Sequence, residues 1–192
     1  MENKAGLILL EGISASGKST IGRLLSTRLP QLNYISSGEM KRPYSQKVFG
    51  QNLSSLNQEQ SFQINSWFLG ELKGKFQEGA YLIDTHYTYH LPNRKFVRLT
   101  PEQYLPDIEM MLLIESDPSE IVQRRVNRGR GRDQIDKAFV HTELAVEREE
   151  AQRLSEKFNK PLKILYNYQT TPRDIVEDLV NLLRKYESSP VI

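Results

Sequence analysis

Five short apolar runs, each bounded by polar or turn residues, set the rhythm of the chain. Gly6-Leu-Ile-Leu-Leu-Glu11, Leu32-Asn-Tyr-Ile35, Ala80-Tyr-Leu-Ile-Asp84, Met110-Met-Leu-Leu-Ile114 and Leu162-Lys-Ile-Leu-Tyr166 have the length and continuity of buried strands. Between them, apolar residues recur at helical spacing. Ile21-Gly-Arg-Leu-Leu25 predicts a first helix ending near Leu29-Pro30, and a second helix follows Ser36-Ser37. Phe62, Trp67, Phe68, Leu69, Leu72 and Phe76 predict a helix between Asn57 and Gln77 that Gly79 ends, with Trp67 either packed or a half-buried lid. Thr100-Pro-Glu-Gln103, Asp117-Pro-Ser-Glu120 and Thr171-Pro-Arg-Asp174 repeat one capping pattern, so helices start there. Residues 137–159 read as a long charged helix, and Ile175, Val176, Leu179, Val180, Leu182 and Leu183 line a final amphipathic one. Ser188 to Ile192 reads as a frayed tail. Strands alternating with helices predict an α/β protein of three layers: a five-stranded parallel sheet with helices on both faces, one domain over residues 1–192. In such sheets ligands bind at the carboxyl ends of the strands.

Composition narrows the classes. No stretch approaches the ~20 apolar residues of a membrane span, and the N-terminus lacks a long apolar region, so the expectation is a cytoplasmic protein with no membrane partner. There is no cysteine and there are three scattered histidines, which argues against disulfides and zinc; the metal to expect is Mg²⁺ arriving with a nucleotide. A formal net charge of +2 gives no overall case for a nucleic-acid partner.

Gly12-Ile13-Ser14-Ala15-Ser16-Gly17-Lys18-Ser19-Thr20 is a complete G-x-x-x-x-G-K-[ST] phosphate loop, set between the first strand and the first helix. Its glycines let the backbone curl and aim N–H groups at a phosphate on a helix N-terminus. Lys18 would reach the β- and γ-phosphates and the Ser19 hydroxyl would hold Mg²⁺. The fold class is therefore that of a P-loop NTPase, with ATP and Mg²⁺ as the expected ligands. Asp84, at the carboxyl end of the third strand, reads as a metal ligand through water, or else as a turn carboxylate. His86 and His90 follow it, lining the pocket or satisfied within their loop. Asn167 ends the fifth strand, level with the nucleotide.

Two polar segments remain. Ser36, Ser37 and Arg42 follow the second strand, where a second substrate could sit; the alternative is a helix cap and a solvated charge. Arg124, Arg125, Arg128, Arg130 and Arg132 crowd into nine residues with Gly129 and Gly131 among them. Five guanidiniums cannot neutralise one another, so an anion is expected: a polyphosphate under a short Arg-rich lid of residues 128–136. A solvated face paired with Asp133, Asp136 and the acidic helix, or a nucleic-acid patch, are the alternatives. The loop from Leu91 to Leu99 is also basic, with Arg94, Lys95 and Arg98, and Arg148 on the long helix could face the site.

These residues carry a resemblance. Ile35-Ser-Ser-Gly-Glu-Met-Lys-Arg42 resembles the ST-G-D-M-x-R acceptor segment of the P-loop nucleoside monophosphate kinases, and Leu82-Ile-Asp-Thr-His86 resembles the V-D-T-H strand end of archaeal-type adenylate kinases. Glu115-Ser-Asp-Pro-Ser-Glu-Ile-Val-Gln-Arg-Arg125 and the Asn167 strand end extend the likeness in order over nearly the whole chain. The resemblance implies reversible transfer of the γ-phosphoryl group of ATP to a nucleoside monophosphate, AMP first, with Mg²⁺. It implies an acceptor segment at about 36–78, with Ser37, Gly38 and Arg42 on the acceptor phosphate and Asp84 and His86 beside it. It implies that Arg124 and Arg128 meet the donor, and that Lys18, Arg128 and Arg132 act on the transferring group. Archaeal-type adenylate kinases are trimers, so a homo-oligomer is possible. Common adenylate kinases follow the third-strand aspartate with Gly-Phe-Pro-Arg; here it is Thr85-His-Tyr-Thr88, with no arginine until Arg94. A loop arginine or His90 substitutes, or the acceptor differs. The other readings are a kinase of another small phosphorylated acceptor, and a slow ATPase acting on an RNA or protein partner.

Overall fold

The computed structural model describes residues 6–75, 79–90, 94–98, 108–128, 135–168 and 170–184. Strand β1 (Gly6–Glu11) leads through the phosphate loop to helix α1 (Lys18–Arg28); β2 (Leu32–Ser36) runs directly into α2 (Ser37–Phe49), and α3 is Gln58–Lys75. Then come β3 (Ala80–Asp84), the short strands β4 (Thr88–His90) and β5 (Phe96–Arg98), β6 (Ile108–Glu115), α4 (Pro118–Arg128), α5 (Lys137–Phe158), β7 (Leu162–Tyr166) and α6 (Pro172–Leu183). The main sheet has the order β2-β3-β1-β6-β7, parallel throughout. The expected five strands and three layers are all present.

Period-two alternation along β1 decides which helix covers which face. Ile8 and Leu10 join Leu82, Leu112 and Ile114 under α1 and α6, through Ile21, Leu25, Ile175, Leu179 and Leu183. Leu7 and Leu9 join Ile83, Met111 and Leu113 under α3 and α5, through Phe68, Leu72, Ala151 and Leu154. A strand buried on both faces has no polar side, which is why β1 is apolar from Gly6 to Leu10. β1 lies at the centre of the sheet, and its carboxyl end delivers the loop between β3 and β6.

The helix starts follow the capping chemistry. Ser36 accepts from Glu39 N at 3.4 Å, Asp117 from Ser119 N at 2.8 Å, and Thr171 forms a reciprocal box with Asp174. Two details differ from expectation, and for Trp67 the packed reading holds. The end of the basic loop folds back on the residues just before it as a small antiparallel hairpin, β4 against β5, in the register Thr88↔Arg98, Tyr89↔Val97 and His90↔Phe96. Phe62 is 74% exposed, because the buried face of α3 runs through Ser61, Ile64, Phe68 and Leu72. Trp67 stacks on Tyr44 with centroids 3.9 Å apart, fastening α3 to α2, so its role is packing. Phe76, Gln77, the helix start at Thr100 and the tail from Ser188 lie outside the described residues. Among those described, no helix is long and apolar enough to cross a membrane.

Candidate active site

The loop is shaped by residues that tolerate left-handed backbone and close approach. Gly12 has φ +141°, and a Cβ there would lie 2.4 Å from the Ile114 carbonyl oxygen; Gly17 has φ +106°, and a Cβ there would lie 2.2 Å from the Asn167 side-chain nitrogen. Ile13 and Ala15 turn their side chains into a small core with Ile121 and Val140, so they can offer a ligand only backbone. Three side chains then hold the loop carbonyls. Arg125 donates to Ser14 O at 3.1 and 3.3 Å, Arg124 to Ala15 O at 3.2 Å, and Asn167 to Ser16 O at 2.9 Å. Because C=O and N–H of a trans peptide point opposite ways, fixing these carbonyls turns their partner N–H groups to the other side.

Lys18 is buried and donates to the Gly12 and Ile13 carbonyls at 2.5 and 3.0 Å. Burial lowers its pKa, and the carboxylates of Asp84, Glu147 and Glu11 oppose the shift. The Ser16 hydroxyl is buried with no partner among the described residues. A free buried hydroxyl, a lysine held by weak neutral acceptors and a helix N-terminus together fit a polyphosphate. Ser19 Oγ donates to Asp84 Oδ2 at 2.7 Å, and Tyr34 OH donates to the same oxygen at 2.7 Å. Gly22 makes room for that tyrosine, since a Cβ there would lie 2.4 Å from its ring. A hydroxyl and a carboxylate in contact beside the phosphate site suit a hard cation with oxygen ligands, so the expected pair Ser19 and Asp84 fits Mg²⁺.

His86 lies against the loop. Its Nδ1 is 2.6 Å from Gly12 O, which requires the proton on Nδ1, and the Lys18 ammonium lies 3.4 Å from the same atom. Burial and the neighbouring Lys18 push its pKa well below the ordinary range, so the ring is neutral. Ser37 is buried at the first position of α2. Arg42 is exposed and folds back over that turn, with Nη2 3.5 Å from where a Cβ of Gly38 would sit. Ser36 is the cap of α2, as its alternative reading had it.

The arginine cluster divides. Arg124 is also paired with Glu120, and Arg125, 2% exposed, is paired with Glu143 at 2.6 Å. Arg125 thus pairs with the acidic helix, as the alternative of a paired face had it, and Arg124 pairs within its own helix; both also brace the back of the loop through its carbonyls. Asn167 likewise braces Ser16. Arg128 is exposed and close enough to lower the Lys18 pKa through its charge. Arg130, Arg132 and the rest of the lid from 129 to 134 lie outside the described residues. The basic hairpin faces α5: His90 lies 3.5 Å from Glu143, Arg94 lies 3.6 Å from Asp136 and over the Phe139 ring, and Arg98 lies 2.9 Å from Glu150. Arg148 grips Glu115 with two bonds at the end of β6. None of these bonds reaches the loop.

Sequence reasoning passed over three buried ionic residues. Glu11 ends β1 fully buried, and neither carboxylate oxygen has a partner among the described residues. Burial, then Glu147 and Asp84, push its pKa well above the usual carboxylate range. Glu147 comes from α5 and accepts from Tyr87 N, Thr88 N and Thr88 Oγ1 at 2.9, 2.9 and 2.6 Å. Lys41, next to Arg42 but turned inward, donates to Asn65 Oδ1 and lies 4.5 Å over the Phe68 ring; burial lowers its pKa to about 8. The signal for Glu147 was its spacing with Glu143 and Glu150, which shares a face with Val140, Ala151 and Leu154.

The loop and its braces have known relatives. A family model described as the AAA domain matches residues 11–141, well over half of the chain. The chain belongs to the AAA domain family. The match begins at Glu11 and takes in the loop, Arg42, Asp84 and the α4 arginines, while Glu147 and Asn167 follow it. Among curated proteins, the guanylate kinase of Helicobacter pylori is 29% identical over 100 residues, 51% of this chain and 45% of that protein, so the chain spans about half the length of the curated relatives it matches. Among solved structures, shikimate kinase from Acinetobacter baumannii in complex with shikimate aligns with TM-score 0.60 and 14% identity over 97% of both chains. The YorR protein from Bacillus subtilis in complex with phosphorylated GDP aligns with TM-score 0.57 and 20% identity over 96% of this chain and 99% of that one. The AAA domain of this chain thus has the fold of P-loop kinases.

Proposed function

We propose that the protein is an Mg²⁺-ATP-dependent phosphotransferase acting on a small acceptor seated between α2 and the phosphate loop. The observation that carries this is the loop with its unpartnered Ser16 hydroxyl, its buried Lys18 and the Ser19–Asp84 contact. Phosphoryl transfer asks a protein mainly for position and for charge around the transferring group. The loop N–H groups and Lys18 hold the donor phosphates, and Arg128 adds positive charge near Lys18. Mg²⁺, held by Ser19 and through water by Asp84, would neutralise β- and γ-phosphate charge. Arg124, Arg125 and Asn167 keep the loop in its binding shape before ligand arrives, so little reorganisation is needed.

The sequence resemblance puts a nucleoside monophosphate, AMP first, in the acceptor place, and the exposed Arg42 folded over Gly38 supports an anionic group there. The related guanylate kinase is named for a nucleotide acceptor as well. A second acceptor chemistry, a hydroxyl compound, is favoured by the buried and unpartnered carboxylate of Glu11. The test is incubation with Mg²⁺-ATP and AMP, CMP, UMP, GMP or dTMP, with diphosphate products quantified. ADP production that no monophosphate raises above the acceptor-free rate would remove the nucleoside monophosphate reading. Lys18→Ala should cost orders of magnitude in turnover with any acceptor.

A further inference from the structure

Glu11 and Tyr87 are an unexplained pair. β1 and β3 align through Leu10↔Asp84, and Thr85 N donates to Leu10 O at 3.1 Å, so Glu11 and the residues just past β3 share one strand end. Both side chains are fully buried, and the Glu11 carboxylate oxygens and the Tyr87 hydroxyl all lack hydrogen-bond partners among the described residues. Alternation along β1 puts Glu11 on the face of Leu7 and Leu9, the face on which Tyr87 is also packed, and neither group bonds the other. Neither cation near Glu11 satisfies it: Lys18 is spent on the Gly12 and Ile13 carbonyls, and the Lys41 bond goes to Asn65. An unpaired buried carboxylate is costly, and an apolar residue such as the preceding Leu9 or Leu10 would fill the strand without that cost.

We infer that Glu11 and Tyr87 receive a hydroxyl group of the acceptor, and that the acceptor is a small polyhydroxy compound, a sugar, sugar acid or nucleoside, phosphorylated on that oxygen. A hydroxyl donates to the carboxylate and accepts from the phenol, which satisfies both orphans with one group. A phosphate dianion has no proton to donate to the Glu11 carboxylate, and it would add negative charge beside Asp84, the carboxylate that acts most on Lys18. In the reaction the hydroxyl oxygen forms a bond to the γ-phosphorus of the nucleoside triphosphate. The bond from that phosphorus to the β–γ bridging oxygen breaks, its electron pair leaves with the nucleoside diphosphate, and the hydroxyl proton passes to Glu11.

This rests on the phosphotransferase reading, and the experiment separates the two. Mg²⁺-ATP affinity of the native protein and of Lys18→Ala tests the donor side alone. Turnover is then measured with glucose, gluconate, glycerol, adenosine and thymidine beside AMP and GMP. The expected result is a phosphomonoester from at least one hydroxyl compound. Glu11→Gln should lower its kcat about 100-fold or more while the Mg²⁺-ATP Kd stays within about twofold. Tyr87→Phe should chiefly raise the acceptor KM. Without any ligand, Glu11→Gln should raise Tm, because a buried carboxyl whose ionisation is opposed by burial is removed; a carboxyl kept for structure would lower it. Stimulation by monophosphates alone, stimulation by none of the compounds, or full turnover in Glu11→Gln each overturns the inference, whatever the Mg²⁺-ATP affinity.

Discussion

The side-chain amide of Asn167 donates to the Ser16 carbonyl across 2.9 Å, so the end of the last strand holds the phosphate loop from behind. Its backbone is fixed in turn, with Asn167 N donating to Glu115 O at 2.7 Å and Ser116 Oγ donating to Asn167 O at 2.8 Å. The loop therefore takes its shape from β6 and β7 as much as from its own glycines.

Removing that brace should loosen the loop without unfolding the sheet. Asn167→Ala leaves the Ser16 carbonyl short of its best donor, a loss of about 1–3 kcal/mol by the usual cost of an unmade buried bond. Asn167→Asp should be worse, because a carboxylate would face a carbonyl oxygen. Urea denaturation checks the stability, and Mg²⁺-ATP affinity should weaken in the same order. Equal affinity in both variants would show that the bond does not shape the site.

The Ser19–Asp84 contact predicts a metal-dependent defect. Asp84→Asn keeps an acceptor for Ser19 and Tyr34 but removes the charge that favours Mg²⁺. Turnover at fixed Mg²⁺ should drop by at least about tenfold, and the Mg²⁺ concentration for half-maximal rate should rise. A Mg²⁺ titration at saturating ATP reads this directly, and an unchanged midpoint would place the metal elsewhere.

Arg125 and Glu143 form a buried ion pair behind the loop, and removing the arginine leaves Glu143, among the described residues, with His90 alone beside it. Arg125→Ala should cost about 3–5 kcal/mol in urea denaturation, the usual penalty for half of a buried pair. Arg128→Ala, at an exposed position, should change stability by less than about 0.5 kcal/mol while lowering turnover. The contrast would separate the bracing arginines from one that acts on the donor phosphates, the role proposed for Arg128.

Much of this arrangement was legible in the sequence. β1, β3 and β6 are buried on both faces and so read as unbroken apolar runs, and the loop lies between the first run and a helix. The hairpin was not legible, because strands of three residues carry no readable period. Arg42 drew attention and Lys41 did not, although neighbours on a helix point about 100° apart and only the packing of α2 on α3 decides which turns inward. On α5 the charges suggested a solvated helix, but Glu143, Glu147 and Glu150 sit on its buried face and hold Arg125, the start of β4, and Arg153. Glu11 was hidden by position, since a carboxylate at the end of an apolar run looks like the place where the strand stops.

Lys41 makes the inward face of α2 visible as a pH effect. Its pKa is lowered to about 8 by burial, against an ordinary value of 10.5 in the unfolded chain. Below pH 8 both states hold the proton, and the folded protein carries the full penalty of a buried ammonium. Between about pH 8 and 10.5 the unfolded chain binds more protons than the folded one, so this group makes stability rise with pH. The whole rise from Lys41 is about 3 kcal/mol at 1.36 kcal/mol per pKa unit. Lys41→Met removes the penalty, so the variant should gain most on the native protein at pH 7 and lose that advantage steadily toward pH 10. Urea denaturation of both proteins at pH 7, 8, 9 and 10 measures the difference, which cancels other titrating groups common to the two chains. A difference that does not change with pH would mean that the Lys41 ammonium stays solvated and that α2 presents another face to the cleft.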